Sequence, residues 1–246
     1  IGLVGNRRPG TNLGQVGGLR IDDFLGEGIS RRPFGQQFIV GLAHRLENQK
    51  AATLVVSGGT TPARCFQELA HLDIEWDRVN VLASDDRWVP SDHEDSNEKL
   101  VRSKLLVNGA AKADILPFYA ANATVEERAA ALDQEIRFVP FPFACSMLGM
   151  GADGHFASLF PDAENLEEGL DLESQTLCLP IETEASPFPR ISLTLAALSR
   201  SDEIVLLFFG DEKRVVYDKA KAGNARYPVT RLLRQKRAPV NVYWAP

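Results

Sequence analysis

The sequence predicts an α/β fold: a Rossmann-like, largely parallel sheet flanked by helices. Three observations carry that prediction. Short apolar, β-rich runs recur along the chain, at 53–56, 79–83, 143–148 and 203–209. Between them lie stretches with apolar residues three and four apart, the spacing of one helix face. The runs end in glycine-rich or polar turns at 57–62, 84–90 and 149–155. Strands that alternate with helices in this way assemble into a mostly parallel sheet.

Residues 1–33 are broken up by glycines and by Pro9 and Pro33. A strand near 1–4 is the one element read there; the segment is otherwise expected to be irregular, with no role assigned, and 34–246 to form a single α/β catalytic domain. Because the sequence begins at Ile1 rather than Met, part of a native N-terminus is expected to be missing. Phe34, Phe38, Ile39, Leu42 and Leu46 share one face and predict a helix over 34–48. The 53–56 strand ends at Ser57-Gly58-Gly59-Thr60-Thr61-Pro62. Pro62 suits the first turn of a helix over 63–70, where its missing N–H would have had no partner.

The 79–83 strand runs into Ser84-Asp85-Asp86-Arg87-Trp88-Val89-Pro90, read as a loop, and a helix comes next over about 98–106. A further short strand is read at 115–118. Thr124 with Glu127 forms a capping box that opens a helix reaching about 138. After the 143–148 strand and its turn, the polar stretch 162–175 shows little periodicity. Strands at 176–181 and 190–195 flank the Ser186-Pro187-Phe188-Pro189 break. The most apolar run, 203–209, is read as a central strand. Helices at 212–222 and 228–234 and a strand at 240–244 close the chain.

Of 246 residues, 44% are hydrophobic and 24% charged, which is enough for a full core. A net charge of −6 argues against nucleic acid or an anionic membrane as the main partner. A small anionic ligand, which needs only a local positive cluster, stays open. Cys65, Cys145 and Cys178 lack metal-ligand spacing and read as reduced core thiols of a cytoplasmic protein. No apolar run approaches the roughly 20 residues that span a bilayer.

The chemistry concentrates in Gly149-Met150-Gly151-Ala152-Asp153-Gly154-His155. Glycine serves where the backbone takes positive φ or lets a ligand come close. An imidazole beside such a turn, at the carboxyl end of a strand, lies where open α/β sheets bind ligands. His155 is therefore the candidate catalytic base, with Asp153 placed to orient its ring. The turn matches G-x-G-x-x-G, but it comes several strands into the chain and Pro161 interrupts the segment after it, so the long helix a dinucleotide site requires is absent. The 57–62 turn lacks the Gly-Lys-Ser/Thr ending of a P-loop. It does join a strand to a helix N-terminus, which makes Ser57, Gly58, Gly59 and Thr60 candidate anion-binding residues. Arg87, Arg190 and Lys213 fall near predicted strand ends and suit a phosphate dianion. His93, among Asp92, Glu94 and Asp95, reads as a solvated acidic loop rather than a cation site.

With these motifs laid out, the sequence resembles the 6-phosphogluconolactonases from about residue 34 to 244. The strongest block runs from Gly149 to His155 and on through Ala157-Ser158-Leu159-Phe160-Pro161. The family's S-G-G-x-T-P turn stands as Ser57 to Pro62, and its D-E-R-x-V loop as Asp85-Asp86-Arg87-Trp88-Val89, with Ser96-Asn97 downstream. Its R-I-[ST]-L-T strand is Arg190 to Thr194, and its G-x-x-K helix start is Gly210 to Lys213. Asp86 replaces the usual glutamate, shortening that carboxylate by a methylene.

The resemblance implies hydrolysis of 6-phospho-D-glucono-1,5-lactone, with no cofactor and no metal, by a monomer or small homo-oligomer. It makes His155 and Asp153 catalytic, and Ser57, Gly58, Gly59, Thr60, Asp86, Arg87, Gly151, Arg190 and Lys213 substrate-binding. Backbone N–H groups of the glycine turn are expected to hold the oxyanion. The glucosamine-6-phosphate deaminases share the fold and the Gly-Ala-Asp-Gly-His turn but continue with Asn-Glu-Pro. Here Leu159-Phe160-Pro161 stands instead, and phenylalanine transfers no proton. A non-catalytic sugar-phosphate sensor of the same fold is the remaining alternative.

Overall fold

The computed structural model describes residues 34–246; the strand read at 1–4 and the irregular 1–33 segment lie outside it. Helix α1 (Phe34–Asn48) leads into strand β1 (Ala52–Val56), helix α2 (Thr60–Leu69) and strand β2 (Val79–Ala83). Strand β3 (Asp85–Arg87), helix α3 (Asn97–Lys104), strand β4 (Asp114–Leu116) and helix α4 (Val125–Ile136) come next. After them stand β5 (Cys145–Leu148), α5 (Leu166–Leu170), β6 (Cys178–Ile181), β7 (Arg190–Leu193) and α6 (Leu195–Leu198). The chain closes with β8 (Ile204–Phe209), α7 (Asp211–Lys221), α8 (Val229–Arg234) and β9 (Val240–Ala245).

Six strands form the expected sheet in the order β4-β2-β1-β5-β8-β9, with every pairing parallel. Side chains alternate across it as the two-residue period of a strand requires. Leu54, Val56, Met147, Val205 and Leu207 enter one core with Phe66 and Trp76. Val55, Leu148, Ile204, Leu206 and Phe208 enter the other with Leu132, Ile136 and Phe156. Both faces are covered, which is why the strands read as continuous apolar runs. The run at 203–209 becomes β8, an interior strand between β5 and β9.

Chain order reverses between β1 and β5. From β1 the chain steps outward to β2 and β4, then returns to the other side of β1 and continues to β8 and β9. The crevice beyond the carboxyl ends at such a reversal is where open α/β sheets bind ligands. Here it is bordered by the turns after β1, β5 and β8.

The structure adds what periodicity does not reveal. Strands β3, β7 and β6 form a second, antiparallel sheet in the order β3-β7-β6. Ser84 is the joint: its N–H donates to the Val56 carbonyl of the first sheet (2.8 Å), and its own carbonyl accepts from Leu193 N of the second (2.8 Å). The polar Asp85-Asp86-Arg87, read as a loop, is a strand because tertiary pairing outweighs its low β-propensity. Helix α5 lies in the stretch expected to be irregular. The capping box at Thr124 and Glu127 is present in full. Cys145 and Cys178 are buried free thiols whose pKa values burial pushes up. Among the described residues no helix is long and apolar enough to cross a membrane.

Candidate active site

Strand β5 is buried along its whole length and delivers its turn into the crevice. Gly151 N donates to His155 O (2.9 Å) and Gly154 N to Gly151 O (3.1 Å), closing the turn on itself. Gly154 takes φ +80, and a Cβ there would come 2.7 Å from Tyr227 Cβ. Its carbonyl accepts from Val229 N (2.9 Å), so the start of α8 buttresses the turn. A Cβ on Gly151 would lie 2.3 Å from His155 Nδ1 and 2.5 Å from Asp153 Oδ1. Gly151 is thus glycine to make room for the two side chains, and its N–H is spent inside the turn. With His155 N also donating to Asp153 Oδ1 (3.1 Å), three of the N–H groups expected to hold an oxyanion already have acceptors.

His155 Nδ1 lies 2.6 Å from Asp153 Oδ1. Burial raises the Asp153 pKa, but the hydrogen bond and charge interaction with His155 outweigh it and hold the carboxyl below its ordinary range. An ionised carboxylate only accepts, so Nδ1 carries the proton and Nε2 keeps the lone pair a base needs. The imidazole is 28% exposed, open enough to meet water and substrate. It packs on Phe160, with ring centroids 4.1 Å apart at an interplanar angle of 35°.

A second acid–base pair lies deeper. Arg190 Nη2 donates to Asp85 Oδ2 (2.9 Å), Nε to Ser158 Oγ, and Nη1 to Ser186 Oγ (3.4 Å). Ser158 Oγ and Ser84 Oγ donate to the same carboxylate at 2.6 and 2.8 Å. Burial pushes Asp85 up, but the Arg190 charge and these hydrogen bonds hold it below the usual carboxylate range. Every nitrogen of the Arg190 guanidinium therefore already has a protein acceptor.

Asp86 also spends both oxygens on the protein. Oδ1 accepts from Asn97 N (2.7 Å) and Arg87 N (2.8 Å), Oδ2 from Glu98 N (2.9 Å) and Ser96 Oγ (3.2 Å). A carboxylate at the N-terminus of α3 meets unpaired N–H groups and the positive end of the helix dipole. Burial nevertheless pushes its pKa up to about 6 against the backbone hydrogen bonds. Asn97 donates through Nδ2 to Asp85 O (2.7 Å) and accepts at Oδ1 from Arg87 Nη1 (3.2 Å), which also donates to Asp95 O (3.0 Å). A Cβ on Gly58 would come 1.8 Å from Asn97 Oδ1. Asn97 therefore sits between the β1 turn and Arg87 and brings them together.

Gly59, at φ +88, caps α2, and Gly210, at φ +91, caps α7. A Cβ at either would meet nothing within 4 Å, so both helix N-termini open into space on either side of β5. Ser57 is buried and Thr60 begins α2. Lys213 is half-buried in the first turn of α7, with no hydrogen bond or ion pair to another described residue. Beyond Asp153 lies a cleft of about 320 Å³ lined by Ala152, Asp153, Pro161, Asp162, Arg226 and Tyr227. His93 Nδ1 accepts from Asp95 N (3.1 Å), and among the described residues no group of three or more His, Cys, Asp or Glu is placed to hold a metal.

The crevice thus borders on the Ser57–Thr60 turn, Arg87, the Asp153–His155 dyad and the first turn of α7 with Lys213. Sequence reasoning placed Asp85, Asn97 and Ser158 within motifs but gave them no role at the site, and it missed the packing of Phe160 on His155. Two adjacent acids closing an apolar run, Asp85-Asp86, were the available signal. Burying both is costly unless each finds donors.

A family model described as glucosamine-6-phosphate isomerases/6-phosphogluconolactonase matches residues 32–244. The chain is 40% identical over 205 residues to a 6-phosphogluconolactonase of Mesorhizobium japonicum, covering 83% of this chain and 86% of that one. It is 42% identical over 191 residues to one of Caulobacter vibrioides, covering 77% and 81%. The crystal structure of a 6-phosphogluconolactonase from Shewanella baltica superposes with a TM-score of 0.82 at 34% identity, over 86% of this chain and 91% of that one.

Proposed function

Since the chain belongs to the family of glucosamine-6-phosphate isomerases and 6-phosphogluconolactonases, we propose that it works as the latter, hydrolysing 6-phospho-D-glucono-1,5-lactone to 6-phospho-D-gluconate in the oxidative pentose phosphate pathway. The observation that carries the mechanism is the 2.6 Å contact between an ionised Asp153 and His155 Nδ1, which leaves Nε2 as the acceptor at the mouth of the crevice. The lactone is an activated ester, and its hydrolysis calls for no covalent nucleophile or metal. Nε2 takes a proton from water as the water oxygen bonds to the carbonyl carbon. The resulting imidazolium, stabilised by Asp153, returns that proton to the ring oxygen as the carbon–oxygen bond breaks.

The phosphate rests on the Ser57–Thr60 turn, where the α2 N-terminus offers N–H groups and a favourable dipole. Lys213 supplies a counter-charge, and so does Arg87, which Asn97 ties to the same turn. Asp86, whose two oxygens each accept two hydrogen bonds from the protein, holds this arrangement in place. Arg190, anchored on Asp85 and Ser158, uses three of its five N–H groups in the hydrogen bonds described above. Residues 34–246 act as one catalytic domain in the cytoplasm, as a monomer or small homo-oligomer, with a small sugar phosphate as partner. Phe160, where the resemblance implies a glutamate in the deaminases, argues against amine release.

The test is lactone hydrolysis with substrate generated in situ and the spontaneous rate subtracted. General-base assistance is typically worth about 10²–10⁴-fold, so His155→Ala should lose that much. A His155→Ala rate near wild type would defeat the assignment. Sugar-phosphate binding by a wild type that shows no turnover would favour the sensor instead.

A further inference from the structure

We infer that Phe160 is a positioning residue for the reaction: it sets the plane of the His155 ring while Asp153 sets its tautomer. This rests on His155 being the base. One hydrogen bond fixes one atom, and the Nδ1 contact leaves the ring able to swing about it. The terminal torsion of a histidine is broad and does little to stop that swing. Packing must supply the rest, and the Phe160 ring, 4.1 Å away at 35°, is the aromatic neighbour that does so.

A positioning group must itself be held. Phe160 is 6% exposed. Arg190 Cζ lies 5.5 Å from its centroid, within cation–π range. Arg190 in turn is anchored on Asp85 and Ser158. Ser158, two residues before Phe160, donates its N–H to Ser192 Oγ (3.0 Å) and its hydroxyl to Asp85. The segment carrying Phe160 is thus pinned to the second sheet, and its ring lies between Arg190 of that sheet and the imidazole. Phenylalanine suits the task because it contacts the imidazole without a proton or charge that would compete for the reaction.

The experiment compares wild type, Phe160→Leu, Phe160→Tyr, His155→Ala and the double variant His155→Ala/Phe160→Leu in the lactone assay. Misplacement of a reacting group by about 1 Å costs on the order of 10²-fold, so Phe160→Leu should lose about 10–100-fold in kcat with KM changed by less than about twofold. Phe160→Tyr, which keeps the ring, should retain most of the rate. The loss should vanish in the His155→Ala background, because without the imidazole there is nothing to aim. Independently of any variant's folding, the wild-type His155 Cε1–H proton resonance should be displaced upfield of those of His44 and His71 by the Phe160 ring current.

A Phe160→Leu defect that persists at full size without His155, or that falls on KM alone, overturns the inference. So does a wild-type spectrum lacking the upfield displacement. His155→Ala at near wild-type rate fails differently: it removes the base assignment, and the role of Phe160 with it.

Discussion

Two aspartate–base pairs touch Phe160 by way of their basic partners, and they differ in almost everything except the carboxylate. Asp153 and His155 are 39% and 28% exposed; Asp85 and Arg190 are 6% and 8% exposed. In both, a cationic or hydrogen-bonding partner outweighs burial and keeps the carboxyl ionised. An imidazole can both accept and donate a proton through its two ring nitrogens, so its pair can carry charge that changes during a reaction. A guanidinium keeps its proton under all ordinary conditions, so its pair holds charge that stays put. On the proposed mechanism, the half-exposed pair serves the chemistry and the buried one holds position.

The largest expected effect breaks the buried pair. Asp85→Asn leaves Arg190 without a counter-charge in the interior, a loss typically worth about 3–5 kcal/mol. Urea unfolding should show it as a lowered midpoint. An unchanged midpoint would mean that the pair contributes nothing to stability.

Asp86 sharpens the comparison, being as buried as Asp85 but held by N–H groups and a hydroxyl rather than a cation. Its pKa is raised to about 6 from an ordinary value of 3.8, so between those values the folded state binds more protons than the unfolded state. Stability from this group is therefore fully present below pH 3.8 and lost as pH rises through 6. At about 1.4 kcal/mol per pH unit, wild type should lose about 2 kcal/mol more than Asp86→Asn between pH 4.5 and 7. Asp85 has the opposite sign: its contribution is present above 3.8 and disappears as pH falls below. Parallel pH profiles for wild type and Asp86→Asn would refute the Asp86 assignment.

The smallest effect concerns the exposed pair. Asp153→Asn still offers Nδ1 an oxygen acceptor but withdraws the charge that steadies the imidazolium. A charge-assisted hydrogen bond exceeds a neutral one by about 1–1.5 kcal/mol, so kcat should fall about tenfold. The urea midpoint should hardly move, because a half-exposed pair adds little to stability. A large loss of stability with normal kcat would reverse the roles given to the two pairs.

Much of this was legible from the residues because it is local. The β5 run, its glycines and the Asp153–His155 spacing lie within one short segment, so sequence order alone reveals the dyad. The capping box at Thr124 depends on four consecutive residues and is just as legible. Apolar runs largely buried on both faces mark the inner strands β2, β1, β5 and β8, whereas the edge strands β4 and β9 are only partly buried.

What only the tertiary structure decided is pairing across distance. Asp85 and Arg190 are 105 positions apart, and nothing in either neighbourhood names the other. Arg190 reads as a phosphate ligand because a charge at a strand end looks the same whether its partner is a ligand or a buried acid. Asp86 reads as a substrate contact for the same reason, and the sequence alone does not show that both its oxygens accept from the N-terminus of α3. The second sheet is hidden in the sequence because β3 is three polar residues whose extended form comes from β7 rather than from their own propensity. Composition, periodicity and turn chemistry determined the elements of the parallel sheet and the dyad. Which charges face each other was settled when the chain folded, because burial and partner geometry are properties of the packed molecule.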